Sequence, residues 1–373
     1  MKTPFIPVEL PPHTLDINRF VQILGEANRS LSRYDGMIHT IINPDVLLSP
    51  FITEEATQSS MIEGTLATVD DVYACEAGVN LGGGKEADIV EIENYRKALE
   101  YASASIGDRP FSLGLIKECH RLLLDGVRGS TKTPGEFRQE QNWIGRPGAS
   151  MENATFVPPS PLIVEACLDS WMRYLQTDHV DPLVQSAIMH AQFEIIHPFL
   201  DGNGRIGRLM IPLFLYVKGV LHRPMFYLSA YLEAHRDEYY ARLHGVHEYD
   251  EWDAWIQFFL RAIDSQAKEN VRRSAAIIRL YEDLKEQFRH ATHSEHAQKV
   301  QDAIFTMPTF TIPKMVERLK ECPATTARSL LNKVVQAGIV ELRYEASGRR
   351  PAVYRLASLL DIASGRDVAG YGY

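Results

Sequence analysis

The sequence predicts a mainly α-helical protein: a helical bundle interrupted by one β-hairpin, then a C-terminal winged helix-turn-helix domain. Three observations lead there. Apolar residues recur three or four apart through most of the chain, the spacing that turns one face of a helix towards a core. Strand-like runs are confined to one glycine-rich stretch near residue 150 and to the region beyond residue 338. Past residue 290, a polar stretch gives way to helix, helix, helix and hairpin in that order.

The elements follow in turn. An early helix is set off by the glycine loop Gly82 to Gly84, and the strings "ADIVEIENYRKALEYASASI" and "SLGLIKECHRLLLDGV" then read as amphipathic helices. In "QNWIGRPGASMENATFVPP" short β-type runs flank a centre rich in Gly, Pro and Asn, which reads as a hairpin. The helices "SPLIVEACLDSWMRYLQ" and "PLVQSAIMHAQFEII" lead to "HPFLDGNGRIGRLMIPLFL", where a polar loop turns abruptly into an oily helix. A long helix, "EWDAWIQFFLRAIDSQAKENVRRSAAIIRLYEDLKEQF", runs to a linker, "HATHSEHAQ". Beyond it, "QDAIFTM", "TIPKMVERLK", an "ECP" turn and "TTARSLLNKVVQAG" give three helices, and "IVELRYEASGRRPAVYRL" gives two strands and a turn. The expected divisions are an N-terminal helical region (1–105), a central core (106–265), a helical linker (266–294) and the winged-helix-like domain (295–373).

Composition narrows the function. The 373 residues suffice for two or three domains, and 45% hydrophobic with 23% charged residues is ordinary for a globular protein. A net charge of −9 excludes a polycation that coats nucleic acid, so any such contact must be local. One region departs from the acidic whole: Lys314 to Arg355 holds nine Lys and Arg against four acidic residues, with Arg349 and Arg350 at the tip of the expected wing. The same fold also serves as a protein-docking or dimerising module, so both readings stay open. The four cysteines lie far apart without a CxxC pair, as buried thiols in a reducing compartment would. "MKTPFIPVELPP" lacks the apolar core of a signal peptide, and Pro212 and Lys218 interrupt the oiliest run. A cytoplasmic protein without a membrane partner is expected.

"DGNGRIGR" reads as a helix start built to hold anions. Glycines let the backbone approach a ligand, and the first N–H groups of a helix point outward without internal partners. Arg205 and Arg208, three apart, leave one face and can clamp phosphate oxygens. Asp201 suits a magnesium ion that keeps most of its waters. His197 stands where a base would, with an unperturbed pKa of about 6.5. The parts describe phosphate transfer from a nucleotide to a deprotonated acceptor. An EF-hand is excluded by Pro212 at the position that needs Glu, and "GGGKE" fails the spacing of a phosphate-binding Walker loop.

"HPFLDGNGRIGR" resembles the signature of the Fic family, HxFx(D/E)GNGRxxR, at all eight specified places. "GEFRQEQNWIG", "IKECHRLLLDGVRG" and "FVPPSP" look like the flanking helices and flap of Fic proteins, so the resemblance spans about residues 30 to 260. It implies protein adenylylation: AMP moves from ATP to a Ser, Thr or Tyr hydroxyl of a protein, the enzyme itself included, with release of pyrophosphate. It implies His197 as the base, Asp201 as the Mg²⁺ ligand, and an anion hole from the N–H groups of Gly202, Asn203 and Gly204 plus the Asn203 amide. Arg205 and Arg208 would bind the β- and γ-phosphates, with Ile206 and Gly207 in the same nucleotide-binding turn. Phe199 would anchor the loop. The hairpin from Asn153 to Phe156 would be the flap that aligns the target, and Tyr239 and Tyr240 would line the base and ribose. Where the family often has Asn, this chain has His247, which puts that base contact in doubt.

"SSMIEGT" resembles the inhibitory motif of the same family, (S/T)xxxE(G/N), with Ser59, Glu63 and Gly64 in register. The resemblance implies that Glu63 pairs with Arg208 and keeps it from the γ-phosphate. The bland reading is a helix end capped by glycine. Rival functions are transfer of a different phosphate-containing group, and a DNA-binding regulator whose core only senses nucleotide. A homodimer is also expected.

Overall fold

In a computed structural model the described residues are 3–366, apart from positions 42, 108, 147, 149, 179 and 349. Arg349, expected at a wing tip, therefore lies outside the described residues.

A 3-10 turn at Ile17–Arg19, capped by Asp16, leads into α1 (Val21–Thr40), α2 (Pro44–Leu47), α3 (Ser49–Ile62), α4 (Val69–Glu76) and α5 (Lys85–Ser105). α4 begins in a capping box: Thr68 Oγ1 accepts the Asp71 N–H, and the Asp71 carboxylate accepts the Thr68 N–H. Ser112 caps α6 (Leu113–Leu123). α7 (Pro161–Leu175) and α8 (Pro182–Ile196) each start on proline, whose missing N–H is not needed there. Next come α9 (Asn203–Val217), α10 (Ser229–Ala234), α11 (Arg236–Tyr249) and α12 (Trp252–Thr292). The chain ends in α13 (Ala297–Thr306), β1 (Thr309–Thr311), α14 (Ile312–Arg318), α15 (Ala324–Gln336), β2 (Glu341–Tyr344), β3 (Val353–Arg355) and α16 (Ala357–Ala363).

These elements form two compact units. The first gathers the residues up to Asp35, Gln58–Thr65 and Glu93–Ala267. Its spine is α8, buried on every side from Leu183 to Phe193, as a helix at the centre of a core must be. α8 packs along α9, and two indoles lock it in place: Trp171 Nε1 donates to the Met189 carbonyl at 3.0 Å and Trp255 Nε1 to that of Ala187 at 2.8 Å.

The second unit gathers Gly36–Thr57, Leu66–Ile92 and the residues from Lys268 on. Its antiparallel sheet has the order β1-β3-β2, with Phe310 opposite Tyr354 and a register shift between Leu342 and Tyr344. α13, α14 and α15 pack on one another around Phe305, Phe310, Met315 and Leu331, each wholly buried.

Two expectations change. The hairpin near residue 150 contracts to one antiparallel bridge, Ile144 with Phe156, around a 3-10 turn at Met151–Asn153. The Gly, Pro and Asn between them leave too few β-forming residues for a longer ladder. The linker shrinks to residues 293–296, because Leu280, Leu284, Phe288 and Thr292 continue a buried i, i+4 row and carry α12 through "HAT". Among the described residues no helix is long and apolar enough to cross a membrane.

Candidate active site

The loop from α8 to α9 is fixed from several sides. Pro198 disfavours helix at the residue before it, so α8 stops at His197, which takes a left-handed conformation (φ 50°) while its N–H still bonds the Phe193 carbonyl. Phe199 is fully buried, its ring stacked on His120 at 3.7 Å. Asn203 closes the loop on itself: Oδ1 accepts the Phe199 N–H at 2.8 Å and Nδ2 donates to the Phe199 carbonyl at 2.9 Å. Arg138, 1% exposed, staples the loop from behind. Its guanidinium donates to the carbonyls of His197 (2.9 Å), Pro159 (2.6 Å) and Glu140 (3.2 Å), and its own N–H to that of Pro198.

Hydrogen bonding fixes the tautomers of both histidines here. The Gly135 N–H can only donate, so His120 Nδ1 accepts it (2.8 Å) and Nε2 carries the proton to the Asp201 carbonyl (2.9 Å). Burial holds that imidazole neutral, down to about 4. His197 Nδ1 lies 3.2 Å from the Glu194 carbonyl, an acceptor, so Nδ1 bears the proton and Nε2 keeps a lone pair. Burial pushes His197 down to about 4, the Glu194 hydrogen bond opposing and Arg138 reinforcing the shift. The ordinary imidazole value expected from the sequence is thus corrected by desolvation.

At the start of α9, Gly202 has φ 77° and gives its N–H to Asp201 Oδ1 at 2.6 Å. The first intrahelical bond joins the Ile206 N–H to the Gly202 carbonyl, so the N–H groups of Asn203 and Gly204 precede it and point out of the helix end. Of the expected anion hole these backbone groups are in position, while the Asn203 amide is spent on Phe199. Ile206 is wholly buried, and Gly207 packs against α8, where an added Cβ would strike Glu194 and His190. Arg205 is buried with its Nη2 3.5 Å from Asp201 Oδ1.

Arg208 meets the end of α3. Its Nε donates to Ser59 Oγ (2.9 Å), and its Nη2 to the Ser59 carbonyl (2.8 Å) and to Glu63 Oε1 (2.8 Å). The side chain of Arg208 is 1% exposed and that of Glu63 30%. Burial alone would raise the Glu63 carboxyl, but the charge and hydrogen bond of Arg208 outweigh it and hold the group below its ordinary range. Glu63 Oε1 also lies directly over Gly204, where any Cβ would collide with it. The carboxylate therefore lies over the first turn of α9. The segment is held by Gly64 (φ 97°), whose N–H reaches the Met61 carbonyl, by Thr65 N–H on that of Ser60, and by Arg236 Nη2 on that of Ile62.

Beside this lies a cavity of about 380 Å³. Phe156 and Tyr240 line it, together with Ile144, Glu194, Leu243 and His247. The His247 ring lies 4.1 Å from that of Phe156, tilted by 34°. Tyr239 does not line it: the ring is buried and its hydroxyl meets His190 Nε2 at 2.8 Å. The sequence reading assigned no role to Arg138, His120 or Glu194, although the first two lie in strings that flagged the fold. Their signal is a histidine and an arginine at positions that must be apolar.

Among the described residues no group of three or more His, Cys, Asp or Glu side chains could cage a metal. The Asp201 carboxylate is about a third exposed. One open carboxylate suits Mg²⁺, which keeps its waters and arrives on phosphates, and does not suit a structural metal.

Residues 21–104 match the profile described as Fic/DOC family N-terminal, and residues 110–215 the profile described as Fic/DOC family; together they cover just over half of the chain. The protein adenylyltransferase fic-1 of Caenorhabditis elegans is 27% identical over 219 residues, 57% of this chain and 39% of that protein. A probable protein adenylyltransferase of Aquifex aeolicus is 35% identical over 85 residues, 22% of this chain and 27% of that one. The match thus spans about two fifths or less of these relatives. A crystal structure of a Fic family protein from Desulfovibrio desulfuricans superposes with a TM-score of 0.61 at 22% identity, over 93% of this chain and 98% of that one, a likeness of fold.

Arg138→Met removes a buried donor set and leaves loop carbonyls unanswered. It is expected to cost about 2–5 kcal/mol of stability, read by urea denaturation, and to lower activity even at temperatures where the variant is folded. Unchanged stability would mean that the staple is dispensable.

Proposed function

This chain belongs to the Fic/DOC family, and from that premise we propose that its first unit transfers AMP from ATP to a hydroxyl of a protein, and that Glu63 restrains the reaction. The observation that carries the reading is the pairing of a neutral His197, Nε2 lone pair available, with the N-terminus of α9, whose Asn203 and Gly204 N–H groups have no intrahelical partner. A base and an anion site adjoin at one loop, as acyl or phosphoryl transfer requires.

In the proposed reaction His197 Nε2 takes the proton of the incoming Ser, Thr or Tyr hydroxyl. The oxygen bonds to the α-phosphorus, the bond from that phosphorus to the bridging oxygen breaks, and pyrophosphate leaves with the electron pair. The Asn203 and Gly204 N–H groups and Arg205 hold the polyphosphate, and Asp201 would hold Mg²⁺, which supplies charge neutralisation for the leaving group. The base would stack in the cavity lined by Phe156, Tyr240 and His247. Residues flanking the Ile144–Phe156 bridge would align the target, which can be this chain or a second copy in a homodimer.

Restraint follows from charge. Ions 2.8 Å apart attract by about 6 kcal/mol at an effective dielectric near 20, before desolvation costs. While Glu63 holds Arg208 and covers Gly204, the γ-phosphate finds its position filled. ATP can still enter, but misplaced, and about 1 Å of misplacement lowers a rate by about 10²-fold.

Glu63→Gly is therefore expected to raise AMP transfer by about 10–10²-fold, measured as label from α-³²P-ATP on the protein itself or on lysate proteins. Adding Arg208→Ala should return it to background, because the freed arginine is the group that acts. An inactive Glu63→Gly with intact ATP binding would discard the restraint.

His197→Ala in the Glu63→Gly background should lower kcat by about 10²–10⁴-fold and leave ATP affinity nearly unchanged. Transfer at the parent rate would dismiss the imidazole as base.

The pH profile separates this base from an exposed imidazole. A base works above its pKa, so kcat/KM should fall as pH drops through about 4 and stay level from pH 6 to 7. Removing Glu63 takes away a charge that raises the imidazole, so the limb of Glu63→Gly should lie no higher than that of the wild type. A limb centred above pH 6 in the free enzyme contradicts a desolvated base.

A further inference from the structure

The second unit carries a surface with no part in nucleotide chemistry, and we propose that it is a reader of duplex DNA, with α15 as the helix that enters the major groove. Topology is the first support. The order α13, β1, α14, α15, β2, β3 with sheet order β1-β3-β2 sets α14 and α15 as a helix pair joined by a short turn, followed by a two-stranded extension. That arrangement leaves one face of the second helix of the pair outward.

The chemistry of that face is the second support. Ala327, Leu330, Leu331 and Val334 turn α15 inward onto the core. Thr325, Arg328, Ser329, Asn332 and Gln336 form the exposed stripe opposite. These are the side chains that read base edges: Arg pairs with guanine, Asn and Gln with adenine, and Ser and Thr with several bases. The stripe runs about 16 Å along the helix, the rise of about five base pairs.

Charge is the third. α15 contains no Asp or Glu, in a chain of net charge −9. Lys320 just before α15 and Arg343 on β2 are exposed beside the stripe in sequence, where phosphates would run. Lys333 is excluded from the count, since its Nζ donates to the Thr292 carbonyl at 3.2 Å, and Arg355 is paired with Glu341.

A protein-docking face would look different. Protein interfaces centre on large apolar and aromatic side chains, and none of the exposed large hydrophobic residues lies on α15. The stripe is polar, hydrogen-bonding and free of acids, which suits a polyanion with a patterned groove. The inference does not depend on the transferase reading, because its residues lie in the other unit.

The test uses the full chain and a pool of duplexes with 20 randomised base pairs, retained at 50 mM salt and sequenced, followed by anisotropy titrations on the recovered duplex. The wild type should enrich a motif, and the paired change Asn332→Ala with Gln336→Ala should weaken binding to it by about 30-fold or more. Lys320→Ala with Arg343→Ala should weaken binding to motif and random duplex alike, and flatten the dependence of log Kd on log salt. Circular dichroism and thermal unfolding of each variant serve as the control for folding, and all four positions are exposed. No retention of duplex at 50 mM salt overturns the proposal. So does a motif bound equally well by the Asn332/Gln336 variant, or a second copy of the chain occupying the face in place of duplex.

Discussion

Burying a guanidinium strips it of water that other acceptors must replace, and the Arg208 side chain is only 1% exposed. Arginine does not shed its proton to escape this cost. The helix α9 that carries it is locked by core packing of Ile206, Leu209 and Met210, so the charge cannot swing to solvent either. Whatever else the first unit does, it must present a partner to this group. Ser59 and Glu63 do so now, and their geometry dictates the path of the chain from α3 through Gly64 to Thr65.

The two glycines of α9 follow from the same constraint. Gly204 precedes Arg205 and Gly207 precedes Arg208, and at each glycine an added Cβ would meet a carboxyl oxygen, of Glu63 at the first and of Glu194 at the second. Their role is not conformational freedom, since neither has a positive φ. It is space. A bare backbone lets an anion reach the helix head and lets α8 approach α9 closely. On the proposed reading that vacancy serves a phosphate when Glu63 withdraws, so restraint and catalysis share one site and exclude each other.

Much of this was legible in the sequence because it is local. His197, Asp201, Gly202 and the arginines fall within twelve residues, and Ser59 lies four residues before Glu63, so spacing alone brings each set together. Helices with a strong apolar row, such as α7, α8 and α12, were equally plain. What stayed hidden depends on distant partners. Nothing local says that Arg138 spends its guanidinium on the carbonyls of Glu140, Pro159, Ile196 and His197, that the Asn203 amide turns back to Phe199, or that Tyr239 is drawn inward by His190 while Tyr240 lines the cavity. The hairpin was overread for a related reason: strand length depends on pairing, and only Ile144 and Phe156 pair.

Charge balance around Arg208 then explains why two nearby carboxyls behave oppositely. Burial pushes Glu194 up to about 8, with Glu63 adding to the rise and Arg208 opposing it, and its Oε1 has no hydrogen-bond partner among the described residues. Glu63 goes the other way because Arg208 both faces it and bonds it. One guanidinium can neutralise one carboxylate. The group with the direct hydrogen bond takes the charge, and the other stays protonated in a site it could not enter as an anion. The pocket at neutral pH is thereby balanced with Glu63 in place. Substituting a phosphate for Glu63 keeps one anion opposite Arg208, and Glu194 remains neutral and does not compete for it. Ionising Glu194 above pH 8 would put a second negative charge beside the anion position and disfavour phosphate and Glu63 alike. On the proposed reading, the neutral acid on α8 would allow a single arginine to be exchanged between an internal carboxylate and an external phosphate.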